Sequence, residues 1–423
     1  MYALLLITAC IAQLIDPRSL IDSTEYANSI KYWFQLDTLK LNPQFGRWMY
    51  VTRRTPGFPF LLMIFGNQGV LIFQFLAGML SPFFVFKSIQ KLNINANLTL
   101  FWALWLLAPL QFFYTAFPMP EIITQCLISI WLWTVLTKRT VIAGVLLLLL
   151  ILMKPVFMVF LVPICIGLFV KGLNYYTLWP SNWKVSVLIG KMFSISMLVI
   201  PVLGILGTAA ANYSRWGIFH ISSVSTTNFY EYNRYQILTK MNGSYFADSA
   251  YLEESKTLDS LSDFSREKGD VLQNLSTETL KRHIKTYLYL HLKGMVQIFV
   301  DPGRYDAMVF FKWTPTSGFL GVKSSHQQAS SRPMKEWIYI AFFLVVNTIR
   351  TLLFGYSLWY ALMKNKKLQT AGVFVALNVL MYSLAIGSVG TARYLIPVYP
   401  LLVFIIASMI PLKFENESIT FER

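Results

Sequence analysis

Between Thr140 and Met153 the chain reads TVIAGVLLLLLILM, fourteen residues without a charge, with Lys138 and Arg139 just before and Lys154 just after. Such runs recur along the whole chain. They constrain the fold more than any other feature, because a backbone crossing hydrocarbon must satisfy its own hydrogen bonds, and separate runs do so as helices. The runs fall at roughly 2–15, 68–86, 97–115, 119–137, 140–153, 155–170, 185–210, 337–363, 369–388 and 393–411. A full crossing takes about 20 residues, so several are short. The pair 140–153 and 155–170 is interrupted at Lys154-Pro155 and reads as one kinked helix or as two spans. Basic residues on both outer flanks favour two. The chain is 55% hydrophobic and only 13% charged, with mean hydropathy +0.52. Soluble domains carry about 25% charge, so one terminal anchor on a soluble body is excluded.

The net charge is +16, but the basic residues punctuate apolar runs instead of forming a stripe. That pattern fits cytoplasmic loops and lipid phosphates, and no nucleic-acid partner is expected. Lys87 and Lys91, Lys138 and Arg139, Lys171 and Lys184, Lys364, Lys366 and Lys367, and Lys413 all fall on one side of a ten-span arrangement. Both termini are then cytoplasmic. The expected fold is an all-α polytopic membrane protein of about ten transmembrane helices, with interfacial helices in the first external loop and a mainly helical external segment. Residues 1–211 form an N-terminal transmembrane module with that loop at 16–67. Residues 212–336 form an external loop or cap, and 337–423 the C-terminal helices and a short cytoplasmic tail. Cys10, Cys126 and Cys165 sit in apolar runs, and the four histidines are scattered, so neither a disulfide framework nor a zinc site is expected. The start lacks a basic region and a small-residue cleavage site, so no cleavable signal peptide is expected.

The first external loop carries more positive charge than its side predicts. Arg18, Lys31, Lys40, Arg47, Arg53 and Arg54 face Asp16, Asp22, Glu25 and Asp37. These are either solvated charges at the lipid interface or a site for an anion such as a lipid phosphate. Within IDSTEYANSIKYW, residues 21–33, the pattern from Asp22 is helical, with Tyr26, Ile30, Trp33 and Phe34 on one face. Asp22 then reads as the N-cap and Glu25 as N3 of a capping box. The same position also suits a rigidly held general base. In RRTPGFPF, residues 53–60, the prolines and glycine set a turn behind two arginines whose planar forks match phosphate. Trp33, Trp48 and Trp337 read as interface anchors more readily than as sugar platforms.

Several of these stretches together resemble a family. Asp22 and Tyr26 in DSTEY follow the first run, and RTPGFPFLL spans 54–62, with Phe58 where tyrosine is usual. Glu121 is the acid of PEIITQ, which begins at Pro120, Lys154 sits in MKPVF where arginine is common, and NYSRWGIFHISS, DPGRYD and RYLIPVYP begin at Asn212, Asp301 and Arg393. In that order they resemble GT-C-type integral-membrane glycosyltransferases, nearest the protein O-mannosyltransferase and aminoarabinose-transferase-like enzymes. For DPGRYD a plain Pro-Gly turn is the favoured reading. The chain is shorter than many such relatives and lacks their large C-terminal soluble domain, so the acceptor site transfers least.

The resemblance implies an inverting transfer from a polyprenyl-phosphate-linked sugar to an acceptor glycolipid, glycan or protein. The implied setting is the external, periplasmic face of a bacterial inner membrane. It implies Asp22 as catalytic base. Arg54, Arg393 and Lys154, with Arg53 and Tyr26, would bind the donor and its phosphate, and Glu121 would be a second acid or orient the acceptor. Some enzymes of this type use a divalent metal. Nothing in this sequence resembles a dedicated cage, and no metal or other cofactor is expected. The rival readings are a lipid or oligosaccharide transporter or flippase, an O-antigen polymerase or ligase, and a non-catalytic scaffold.

Overall fold

The structure is a computed structural model that describes residues 1–34, 53–175, 194–216, 219–261, 266–313 and 334–409. Lys40, Arg47, Trp48, Lys184 and Lys413 lie outside the described residues. Among the described residues every regular element is helical. The first half contains α1 (Tyr2–Ile15), α2 (Ile21–Phe34), α3 (Gly57–Lys91), α4 (Leu98–Leu106), α5 (Pro109–Ala116), α6 (Glu121–Leu136) and α7 (Thr140–Met153). A 3-10 turn, Pro155–Phe160, leads into α8 (Leu161–Tyr175), and α9 (Ser196–Trp216) follows. Then come α10 (Val224–Asn228), a π turn (Phe229–Arg234), α11 (Tyr235–Asn242), α12 (Ser244–Ser260), α13 (Arg266–Arg282), α14 (Ile284–Val300) and α15 (Arg304–Phe311). The chain closes with α16 (Met334–Met363), α17 (Lys366–Ile386) and α18 (Leu395–Met409).

Local chemistry sets several boundaries. Asn97 caps α4 by accepting from the Leu100 N–H at 2.9 Å, and Asn365 caps α17 by accepting from Lys367 and Leu368. The break between α7 and the 3-10 turn follows from Pro155. Its ring drives the preceding residue out of the helical region, and Lys154 is extended at φ −147°, ψ 119°. The run expected at 97–115 is two helices, α4 and α5, bent by 52° with Pro109 opening the second. The run expected at 68–86 begins earlier, at Gly57, and is interrupted at Gly66.

Every residue of α18 is buried, so the most apolar late run forms the centre of the bundle. It packs against α3, α4, α6 and α16, and α3 packs along α6. Among the described residues five stretches, 57–91, 196–215, 334–363, 366–389 and 392–409, are long and apolar enough to cross a membrane. The bent α4–α5 pair would be a sixth. Helices α1, α6, α7 and the 155–169 stretch are apolar but shorter. The chain is thus a helical membrane protein, and ten spans exceed what helix length alone supports.

Candidate functional site

Helix α2 begins differently from the expected capping box. Its first residue is Ile21, so Asp22 is already inside the first turn. The Leu20 N–H donates to Ser23 Oγ at 3.3 Å, which takes the reach-back role assigned to Glu25. The physical reason is competition: both carboxylates find arginines, and a charge-assisted bond to guanidinium is stronger than one to a backbone amide. Asp22 Oδ1 lies 2.8 Å from Arg54 Nη2, and Asp22 Oδ2 accepts from Arg393 Nη1 at 2.5 Å. Glu25 accepts from Arg54 Nε at 3.0 Å and Nη2 at 2.5 Å, and pairs with Arg53 at 3.3 Å. Tyr26 and Trp33 are buried as the periodicity predicts, whereas Phe34 is exposed. Trp33 is not a lipid anchor. Its Nε1–H donates to the Arg54 carbonyl at 2.9 Å and so fixes the arginine's backbone. Trp337, by contrast, is exposed.

The arginine turn is packed from three sides. Arg54 lies over the Tyr26 ring at 4.6 Å. Arg53 bridges Glu25 and Glu231, each at 3.3 Å, and its carbonyl accepts from Ser222 Oγ at 2.6 Å. Asn212 closes the loop that brings Ser222 there, donating to the His220 carbonyl at 2.6 Å. Gly57 lets the start of α3 touch the end of α7. A Cβ there would sit 2.7 Å from the Leu152 carbonyl oxygen, a backbone atom that cannot rotate away. Gly57→Ala is therefore expected to cost about 1–3 kcal/mol. It should also shift Lys154, two residues beyond Leu152. A lowered thermal midpoint in nanodiscs would check this.

Lys154 meets Glu121 inside the bundle. Its Nζ donates to Glu121 Oε1 at 2.6 Å, and Glu121 is 1% exposed. Glu121 Oε2 is buried with no hydrogen-bond partner among the described residues. Arg393 completes the ring, donating also to the Tyr394 hydroxyl at 3.2 Å.

All seven residues singled out from sequence, Asp22, Tyr26, Arg53, Arg54, Glu121, Lys154 and Arg393, border one cavity of about 270 Å³. Part of the lining is apolar: Val156, Met158 and Val159 of the 3-10 turn, with Ala385, Ile386 and Val389 from the end of α17 and just beyond it. Burial alone would raise the Asp22 carboxyl, but Arg393 and then Arg54 outweigh it and hold it well below the usual carboxylate range. The site thus offers an ionised carboxylate clasped by two guanidiniums, a lysine on a half-satisfied glutamate, and an apolar flank. Among the described residues no three His, Cys, Asp or Glu side chains converge as metal ligands would.

Two aspartates of DPGRYD also serve this region. Asp301 makes the Pro-Gly turn, accepting from the Gly303 N–H at 2.9 Å, and its other oxygen accepts from the Ala392 N–H at 3.0 Å. It thereby holds the backbone next to Arg393. Asp306 is buried and accepts from the Tyr114 hydroxyl at 2.9 Å. Burial pushes its carboxyl up to about 7, although Arg393 and the Tyr114 hydrogen bond pull it down. The DPGRYD stretch read only as a turn, and nothing in it marked Asp306, because burial of a carboxylate in the first turn of α15 depends on α5 packing over it. A carboxyl raised on folding contributes stability that is present at low pH and lost as pH rises through about 7. Asp306→Asn should keep the acceptor oxygen, raise stability by roughly 2–4 kcal/mol near pH 8, and flatten the pH dependence between about 4 and 7. Thermal midpoints across that range would show it. Compared with protein-family models, curated proteins and solved structures, the chain matches none of them.

Proposed function

We propose that this protein is an inverting glycosyltransferase that takes a sugar from a polyprenyl-phosphate donor at the external face of a bacterial inner membrane. The observation that carries this reading is the shared cavity, in which the acid, the arginines and an apolar wall converge from segments far apart in sequence. The ten-span arrangement with cytoplasmic termini and a GT-C-like organisation belongs to the same proposal, supported by the basic flanks of the runs.

The chemistry assigns one task to each part. The apolar wall at 156–159 and 385–389 takes the start of the prenyl tail. Arg54 and Arg393 take the phosphate, with Lys154 beside them, while Arg53 braces Glu25 and Glu231. The acceptor oxygen attacks the anomeric carbon from the face opposite the phosphate. The new carbon–oxygen bond forms as the bond to phosphate oxygen breaks, and the electron pair leaves on the phosphate. The acceptor proton passes to Asp22. Glu121 Oε2, a buried acceptor without a partner among the described residues, receives a hydroxyl of the sugar.

The ion pairs give this scheme an order of events. A carboxylate clasped by two guanidiniums is a weak base. A phosphate entering the cavity competes for both, and as they turn to it the Asp22 carboxylate regains basicity. Donor binding thus arms the base. The same clasp also favours a second reading, a lipid-phosphate binding or transport protein in which Asp22 only positions arginines. The deciding experiment incubates nanodisc-embedded protein with a panel of polyprenyl-phosphate sugars and membrane extract. Release of free polyprenyl phosphate with a glycosylated product of inverted configuration supports transfer. Saturable donor binding with no cleavage by any extract, or movement of intact donor across vesicles, would sink it in favour of transport.

A further inference from the structure

Helix α16 carries a charge that the proposed scheme does not use. Between Trp337 and Met363 its one charged side chain is Arg350, in a helix long and apolar enough to cross a membrane. An ionised group at such depth is costly, and it persists where something answers its charge. Arg350 is 6% exposed and lies over the Tyr399 ring at 5.1 Å. It makes no ion pair with a described residue, and its Nε is a buried donor without a hydrogen-bond partner among them.

Arg350 borders a small cavity of about 20 Å³, together with Gln111, Asp301, Asn347, Ala392 and Tyr399. Gln111 brings a second such donor. Its Oε1 accepts from the Tyr2 hydroxyl at 3.1 Å, which orients the amide, and its Nε2 has no partner among the described residues. Asp301 is the one carboxylate in the lining. Its oxygens accept from the Gly303 and Ala392 N–H groups, one each, and an ionised carboxylate has room for about four hydrogen bonds in all. Two donors without acceptors thus face an acceptor with capacity left. The volume suits about one water, which needs ~2–4 polar partners. A water here accepts from Arg350 and Gln111 and donates to Asp301. A halide would meet the Asp301 charge at close range and is disfavoured.

The same helix fastens the turn that carries Asp301. Asn347 Nδ2 donates to the Asp301 carbonyl at 2.7 Å, the Tyr339 hydroxyl to the Pro302 carbonyl at 3.0 Å, and Thr351 Oγ1 to the Phe299 carbonyl at 3.2 Å. On its other side Asp301 holds the Ala392 N–H, one residue before Arg393. Arg350 does not border the larger cavity, so its influence there runs through Asp301.

We propose that Arg350 is a positioning residue: bridged by water to Asp301, it sets the backbone that presents Arg393 to Asp22 and to the donor phosphate. The role toward donor rests on the glycosyltransferase reading, and the bridge itself does not. Without the guanidinium, no counter-charge keeps the carboxylate in place on the Ala392 N–H.

Amide exchange tests the bridge with no ligand present. Hydrogen–deuterium exchange of the full-length protein in nanodiscs is followed on peptides covering 387–394 and 395–409. Arg350→Gln should speed exchange at Ala392 at least about tenfold, with α18 unchanged. Asp301→Asn should do the same, and Arg350→Gln/Asp301→Asn no more than either alone, because the two act as one unit. Arg350→Lys should restore protection, since a bridged contact needs the charge and a donor but not the planar fork. Polyprenyl phosphate titration then reads the consequence. The glutamine variant should bind at least about tenfold more weakly per folded molecule, and the lysine variant near the wild-type level. Wild-type exchange at Ala392 in the glutamine variant, faster exchange spread evenly over both peptides, or additive effects of the two substitutions would each overturn the inference. So would a thermal midpoint that rises with chloride in the wild type alone, which assigns the cavity to an ion. Faster Ala392 exchange in a protein that binds no polyprenyl phosphate, or binds it and transfers no sugar, removes the glycosyltransferase reading and leaves the bridge standing.

Discussion

Asp22→Asn is expected to lower the transfer rate by roughly 10²–10⁴-fold, the usual range for removing a general base. It should also tighten polyprenyl phosphate binding. The wild-type carboxylate competes with the phosphate for Arg54 and Arg393, at 2.8 and 2.5 Å, and asparagine withdraws the competing charge. Opposite movement of rate and donor affinity sets catalysis apart from a scaffold role, in which both would fall together. In the ligand-free protein Asp22 is held well below the usual carboxylate range, so it is ionised at every working pH. The pH profile of kcat/KM should accordingly show no acid limb from this group near about 3.9, the ordinary aspartate value. The checks are single-turnover rates and donor titrations on the same nanodisc preparation. A variant that turns over at the wild-type rate would return Asp22 to a purely structural position.

Arg393→Ala is expected to be the most damaging single change. Its guanidinium bonds Asp22 and the Tyr394 hydroxyl, and it borders the cavity. Removing one partner of a buried pair costs about 3–5 kcal/mol, because the other charge is left behind. The folded fraction should lose at least about tenfold in donor affinity together with most of its turnover. Arg393→Lys separates charge from shape. Lysine keeps the positive charge but cannot hold Asp22 and Tyr394 from one planar fork. It should recover much of the stability and little of the rate. Thermal midpoints paired with turnover read the two separately, and full activity in the lysine variant would show that charge alone suffices there.

The helical character and the membrane class were legible because apolar runs leave a backbone few alternatives. Short motifs singled out seven residues, and all seven border one cavity. What the motifs could not convey was which groups satisfy one another. Asp22 followed by Glu25 has the spacing of a cap, and the arginines that arrive from outside the helix, Arg53 and Arg54 from the next turn and Arg393 from far along the chain, decide otherwise. The meeting of Lys154 with Glu121 likewise depends on Pro155 ending α7 and on Gly57 admitting α3. The number of crossings was the least legible quantity. Helix length, kinks at Gly66 and Pro109, and partial burial change what an apolar run can span without changing its hydropathy. The small cavity at Arg350 had no sequence signal, since Gln111 and Asp301 meet that residue only in the folded bundle.

The bond between Asp22 and Arg393 joins residues 371 positions apart. A ribosome delivering the chain from its N-terminus therefore releases the carboxylate long before its partner. Until the stretch between α17 and α18 emerges, Asp22 has only Arg54, and the ring of charges around the cavity stays open. Contact order of this kind slows assembly, and it also gives assembly a clear end point. On the proposed reading, nascent and truncated chains should not sequester the lipid carrier, and competence for donor should arrive only once Arg393 is in place.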